Sequence, residues 1–262
     1  MGVEIRSLEP SEARLRLEND ESLKMLIVNG YDFRPETLED ENDLLAVAME
    51  EYDVGDERAR VFFAIEAGII IGSLVLTRWE DSKNDKRGKP FFQKLRIKSP
   101  DIAGRLSEIE NPVIDVRGVV VGESHRGKGV GRALFDQAIA DLNPGIIGGQ
   151  TRNPDTVSLR SKFPERRTFF GGREVTWGCS VPNTRVHLPI LEAYAHAGGL
   201  KLLAGLVHLG AEDFEPSKPD MSNYPPIVRQ AFMPLNLMQT QAGRSKTVMA
   251  HLLSVRAELF ED

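Results

Sequence analysis

Arg126 to Gly131 reads RGKGVG, three glycines at alternate positions interleaved with cations, and Arg132 follows directly. The valine-rich run VIDVRGVVV, Val113 to Val121, lies before it, and the apolar-periodic RALFDQAIADL, Arg132 to Leu142, lies after it. A strand that ends in a glycine-rich turn and opens a helix is an anion site. Glycine lets backbone N–H groups turn inward, and the helix N-terminus adds partial positive charge. Arg126, Lys128 and Arg132 add full charges to that cradle. A tight strand-to-helix turn with solvated basic side chains uses the same residues, so the glycine spacing alone leaves both readings open.

Two phosphate motifs are excluded. A P-loop needs Lys followed by Ser or Thr after its last glycine, and here Gly131 is followed by Arg132-Ala133. The dinucleotide fingerprint needs G-x-G-x-x-G, whereas Gly127, Gly129 and Gly131 are spaced G-x-G-x-G.

R-G-K-G-V-G, with VVVGESH before it and RALFDQAIADL after it, resembles the central motif of the GNAT acyltransferase superfamily, Arg/Gln-x-x-Gly-x-Gly/Ala. The match is close over Val113 to Leu142. It is looser over VFFAIEAGIIIGSLVL, which resembles the family's second and third strands. Glu123 stands where the family usually has proline, three residues before the motif's arginine. The resemblance implies an α/β (α+β) fold: a mixed, mostly antiparallel central sheet flanked by helices. Residues 1–262 would form one such domain, with insertions at about 80–112 and 152–187. It also implies acetyl-CoA as co-substrate. Backbone groups at Val119, Val120 and Val121 would hold the pantetheine arm, and the amides of Arg126, Gly127, Lys128, Gly129, Val130 and Gly131 the diphosphate, with Arg132 beside them.

Acyl transfer from a thioester to an amine has three needs: the amine loses a proton, the oxyanion is stabilised, and the thiolate leaves. Members of the family use direct attack with a carboxylate or a water chain as base. In some, that carboxylate is a Glu on the fourth strand, eleven residues before the motif's first residue, which is Asp115 here. Its shorter side chain asks for a bridging water. Asp115 also suits a structural role at the strand start, bonded to Arg117 on the same face. Glu123 and His125 are the alternatives, both at the loop exit.

Many relatives protonate the leaving sulfur with a Tyr on a late helix before a Gly-Phe pair. One placement of that helix, Asn153 to Phe163, puts Arg160 at the tyrosine position; another, Leu200 to Gly210, puts Leu206 there. The second is preferred, because AFMPLNL, Ala231 to Leu237, then serves as the family's last strand. The tyrosine is absent either way, leaving Tyr194, Tyr224 or solvent as the proton source.

These residues need elements to hold them. Residues 3–8 alternate like a short strand. Ser11 caps a helix running to Ile27 with a break near Asn19-Asp20, and Pro35-Glu36 opens another helix. Val61 to Glu66, a turn at Ala67-Gly68 and Ile69 to Trp79 form a hairpin. Residues 80–112 read as a long connection with one short helix near Ile102 to Ile109. Val113 to Val121 is the strongest strand, Arg132 to Leu142 a helix ended by Asn143-Pro144-Gly145, and Gly145 to Thr151 a buried strand. Residues 152–187 are polar and loop-like, Leu188 to Leu209 is helical, and Arg229 to Leu237 is a strand. Lys246 to Leu259 places Val248, Leu252, Val255 and Leu259 on one stripe and predicts a C-terminal helical extension over about 244–262.

The bulk numbers bound the partners. The 262 residues carry a net charge of -6, which argues against non-specific nucleic-acid binding. One cysteine, Cys179, fits a reducing compartment, and the absence of a long apolar run fits a cytoplasmic protein with no membrane partner. His187, His196, His208 and His251 lack metal-ligand spacing, so no metal is expected. Glu36 to Glu57 holds ten acidic residues and no Lys or Arg. That run is either a solvated face or an acidic wall that attracts a cationic amine. The basic stretch Lys83 to Lys98 reads as surface.

The sequence thus points to an N-acetyltransferase acting on a small-molecule or peptide amine, with homodimerisation open. The competing readings are an acyl-CoA-binding regulatory module without turnover and a nucleotide-phosphate protein unrelated to CoA.

Overall fold

The structure, a computed structural model, describes residues 2–30, 57–151, 154–160, 162–163, 165–171, 178–179, 189–194, 196–197 and 250–260. In chain order the elements are β1 (Glu4–Leu8), α1 (Pro10–Asn19), α2 (Glu21–Gly30), β2 (Ala59–Glu66), β3 (Ile69–Trp79), α3 (Gly88–Lys98), α4 (Pro100–Ser107), β4 (Val113–Val121), α5 (Val130–Leu142), β5 (Ile146–Thr151), α6 (Pro154–Arg160), β6 (Arg166–Gly171), β7 (Gly178–Cys179), α7 (Pro189–Tyr194) and β8 (Ala250–Arg256). They gather into two compact units, one of Met1–Arg78 with Ile114–Pro144, the other of Trp79–Val113 with Gly145–Asp262.

The first unit orders its strands β1-β2-β3-β4. β1 and β2 pair antiparallel from Glu4 opposite Ile65 to Leu8 opposite Val61, and β2 and β3 pair antiparallel from Ala59 opposite Thr77 to Glu66 opposite Ile69. The hairpin turn takes positive φ at Ala67 (51°) and Gly68 (84°), the twist that matches antiparallel strands. Ala64 pairs with Gly72 and Ile65 with Ile70, so Ile71 is an extra, bulged residue. Strand alternation sends Val61, Phe63, Ile70 and Val75 to a core completed by Ala13 and Leu17 of α1 and by Leu23 and Ile27 of α2. α5 lies against β1 and β2. The expected helix break holds: Asp20 Oδ1 accepts the amides of Ser22 and Leu23 and so caps α2. α1 begins at Pro10 with Glu9 as its N-cap, two residues before the expected cap Ser11. The helix expected from Pro35 and nearly all of the acidic run lie outside the described residues.

The second unit orders its strands β5-β8-β6-β7, each pair antiparallel. Three sequence expectations are corrected here. The stripe at 248, 252, 255 and 259 is not a helix: residues 250–256 are the strand β8, followed by a 3-10 turn over Ala257–Phe260. β8 runs between β5 and β6 and is buried on both faces, so Leu252 and Leu253 are both inside and no period-2 signal shows. Residues 80–112 carry two helices rather than one. α3 was hidden by its basic composition; Asp85 starts it by accepting the amides of Arg87 and Gly88 on Oδ1 and that of Glu80 on Oδ2. Within 152–187, expected as loop, the structure describes α6, β6 and β7.

One face of this sheet carries an aromatic core. Trp79 stacks on Tyr194 with centroids 5.0 Å apart and meets Phe91 edge-on. The Tyr194 hydroxyl accepts the Gly149 amide at 3.0 Å, and a Cβ on Gly148 would lie 2.5 Å from it. On the other face Thr168 and Ser254 share a buried hydrogen bond, and the buried Arg160 donates to the carbonyls of Ile147 and Leu252. Arg166, paired opposite Arg256, has its guanidinium pushed down to about 10 by burial, with Arg256 and Arg160 adding like charge.

Candidate functional site

The residues assigned to coenzyme binding lie together in the first unit as one continuous strand, turn and helix. The start of β4, Val113 to Asp115, is buried; Val116 to Val119 are half-buried, Val120 is buried and Val121 half-buried. Part of the valine run is therefore open along the strand. β4 ends by donating the Gly122 amide to the carbonyl of the bulged Ile71 at 2.9 Å. A single 3-10 turn, Glu123–His125, then leads into the glycines.

Gly127 and Gly129 have φ of +72° and +85°, the left-handed region that other residues enter at a cost. A Cβ at either would meet nothing within 4 Å, so backbone conformation, not crowding, selects glycine there. Gly129 is the N-cap of α5, and its carbonyl accepts the first intrahelical bond, from Ala133, at 2.9 Å. The amides of Val130 and Gly131 precede that donor and have no acceptor inside the helix. Gly131 differs from its neighbours: it is helical, not among the positive-φ glycines, so the backbone does not require it. α5 itself starts at Val130, two residues before the expected Arg132, and buries Val130, Leu134, Phe135 and Ala138.

The cations are arranged unequally. Arg126 Nε donates to the Val121 carbonyl at 3.2 Å, folding the side chain back over the strand end. Lys128 is exposed at the tip of the turn. Arg132 Nε donates to both carboxylate oxygens of Asp136, at 2.7 and 2.8 Å, so its charge is shared along the helix. One contact without any local sequence signal fastens the turn: His125 Nε2 lies 3.2 Å from Glu66 Oε2 at the end of β2, and His125 Nδ1 lies 2.9 Å from Ser124 Oγ. Glu66 and His125 are 59 residues apart, beyond the reach of any local pattern.

Asp115 is buried on the same strand, 5% exposed. A strand rises about 3.3 Å per residue, so Asp115 and Val121 stand about 20 Å apart along β4. A ligand held by its diphosphate at the glycines must run back along the strand to reach Asp115. Of the two tyrosines, Tyr194 is buried against β5 in the second unit, and Tyr224 lies outside the described residues. The helix that follows β5 is α6, so the placement over 153–163 fits the observed order, with Arg160 at the tyrosine position. The preferred alternative, 200–210, and the strand expected at 229–237 lie outside the described residues, as do His187 and His208. Among the described residues no group of three or more His, Cys, Asp or Glu is placed to hold a metal ion, and no helix is long and apolar enough to cross a membrane.

Residues 28–145 match the model of the acetyltransferase (GNAT) family. No curated protein matches the chain. Solved structures that do match include an acetyltransferase of GNAT family from Streptococcus pneumoniae, at 16% identity over 65% of this chain and 86% of that one with a TM-score of 0.38. The ribosomal-protein-S18-alanine N-acetyltransferase from Escherichia coli matches at 14% identity over 66% and 79%, TM-score 0.39. The paia N-acetyltransferase from Thermoplasma acidophilum, solved in complex with coenzyme A, matches at 11% identity over 67% and 93%, TM-score 0.39.

Proposed function

We propose, from the match of residues 28–145 to the acetyltransferase (GNAT) family, that residues 1–262 act as one cytoplasmic N-acyltransferase that moves acetyl from acetyl-CoA to a primary amine by direct attack. The observation that carries this reading is the turn at Gly127 and Gly129: two left-handed glycines deliver the open amides of Val130 and Gly131 to the end of β4. Such amides at a helix start bind a diphosphate well. The pantetheine arm is held by backbone groups at Val119 to Val121, of which Val119 and Val121 are half-buried, and runs back along β4 toward Asp115.

In this reaction Asp115, through a water, takes the proton of the attacking amine. Backbone N–H groups beside the valines stabilise the oxyanion, and the thiolate leaves with a proton from solvent. The acceptor is a small-molecule or peptide amine, and the acidic run of 36–57 favours a cationic one. A homodimer is compatible with this reading.

The test has two stages. Acetyl-CoA should raise the melting temperature of the protein while ATP and NAD do not. An amine library with acetyl-CoA should then release CoA, and Asp115→Asn should lose that release while still being stabilised by acetyl-CoA. Stabilisation by ATP or NAD but not by CoA would overturn the reading. A second reading, an acyl-CoA-binding module without turnover, is favoured by one observation: Arg160, which the placement over 153–163 sets at the tyrosine position, has its guanidinium engaged by the carbonyls of Ile147 and Leu252. Binding without any CoA release would select it.

A further inference from the structure

We propose that Glu66 and His125 are positioning residues for coenzyme binding, a side-chain clasp that holds the glycine turn in its anion-binding shape. This rests on the acyltransferase reading and adds to it the element that pre-organises the site. The turn between Gly122 and Gly129 is mostly exposed, and backbone bonds within it are short-range: His125 to Gly122, Arg126 to Glu123 and Lys128 to His125. Two contacts reach beyond it to a neighbouring strand. One is the Gly122 amide on the bulged Ile71, at the very start of the turn. The other is His125 on Glu66, further along, immediately before Arg126. Glu66 is the last residue of β2, paired with Ile69 across the Ala67-Gly68 turn, so it is held by the rigid end of the hairpin. The imidazole is three-quarters covered, and Ser124 Oγ at Nδ1 fixes the ring from the other side.

A ligand that binds backbone amides gains affinity when those amides are ordered beforehand, because the ordering cost is met in the free protein. Left-handed glycines have the most freedom to lose, so a tie one residue before Arg126 acts where it matters. The clasp bears on the assigned amides through the backbone, since the His125 carbonyl accepts the Lys128 amide at 3.4 Å, and Asp115 is not part of it. Its removal therefore acts on affinity and not on the chemical step.

The experiment uses the full chain and acetyl-CoA, with binding read by calorimetry and turnover by CoA release. Glu66→Ala is expected to weaken acetyl-CoA binding about two- to tenfold, the range for loss of one partly exposed hydrogen bond. The kcat at saturating acetyl-CoA should stay within about twofold, since no interaction specific to the transition state is removed. Glu66→Gln should restore wild-type affinity, because the amide oxygen still accepts from Nε2–H. In acetyl-CoA affinity His125→Ala should match Glu66→Ala, and the double variant should be no weaker than either single one. Unchanged affinity in Glu66→Ala, a Gln variant as weak as the Ala one, or additive losses in the double variant would each overturn the clasp while leaving the acyltransferase reading intact. Wild-type protein that does not bind acetyl-CoA would overturn both.

Discussion

Gly131→Ala separates what the fold needs from what the ligand needs. Gly127 and Gly129 are explained by their positive φ, but Gly131 lies in the first turn of α5 with helical backbone. Alanine there should stabilise the protein, since glycine inside a helix costs about 0.5–1 kcal/mol relative to alanine. For a chain of this size 1 kcal/mol moves the melting temperature by about 2–4 °C, so the variant should melt about 1–4 °C higher. If the diphosphate lies against this turn, the new methyl stands between it and an amide donor. Losing one hydrogen bond to a charged group costs about 1.5–3 kcal/mol, which is about ten- to 150-fold in affinity for acetyl-CoA. Gly129→Ala makes the contrast: at φ +85° the side chain costs about 1–2 kcal/mol, so that variant should melt lower. Thermal melts with and without acetyl-CoA, and calorimetric titration of the same samples, read both quantities. A Gly131→Ala protein that is more stable yet binds acetyl-CoA as tightly as wild type would refute the reasoning, because nothing would then approach the first turn.

Three further outcomes follow from the same geometry. Asp115→Asn should reduce CoA release about 100- to 10,000-fold, the usual contribution of a general base, with acetyl-CoA affinity retained. Gly148→Ala should lower the melting temperature by about 2–12 °C, because its methyl would stand 2.5 Å from the Tyr194 hydroxyl and overpacking costs about 1–3 kcal/mol. Asp20→Ala should cost about 1 kcal/mol of stability at neutral pH through loss of the α2 cap. The Ser22 hydroxyl, and with it the amides of Leu23 and Ser22, holds the Asp20 carboxyl below its ordinary value. Its stabilisation is therefore present above the ordinary carboxylate range and lost as pH falls through the lowered value. The gap between wild type and Asp20→Ala in denaturant melts should close in strong acid.

The stretch from β4 to α5 was legible in the sequence because its signals are local. The valine run spans the observed strand end to end. Gly127 and Gly129 sit where the backbone turns left-handed, and the apolar stripe of α5 needs only its own residues to be seen. The β2–β3 hairpin was legible for the same reason, with its turn at Ala67-Gly68. Only tertiary structure decided β8. Leu252, Leu253 and Val255 suit a helical stripe as well as a strand, and the choice is made by partners far away in the chain: β5, about a hundred residues earlier, and β6, with Thr168 and Ser254 sharing a buried bond across 86 residues. The same holds for the link between Glu66 and His125 and for Arg160 on the carbonyl of Leu252. A sequence displays periodicity and backbone permissiveness within a few turns of chain. It does not display which distant segment will cover a face, and that covering is what turns an apolar run into a central strand.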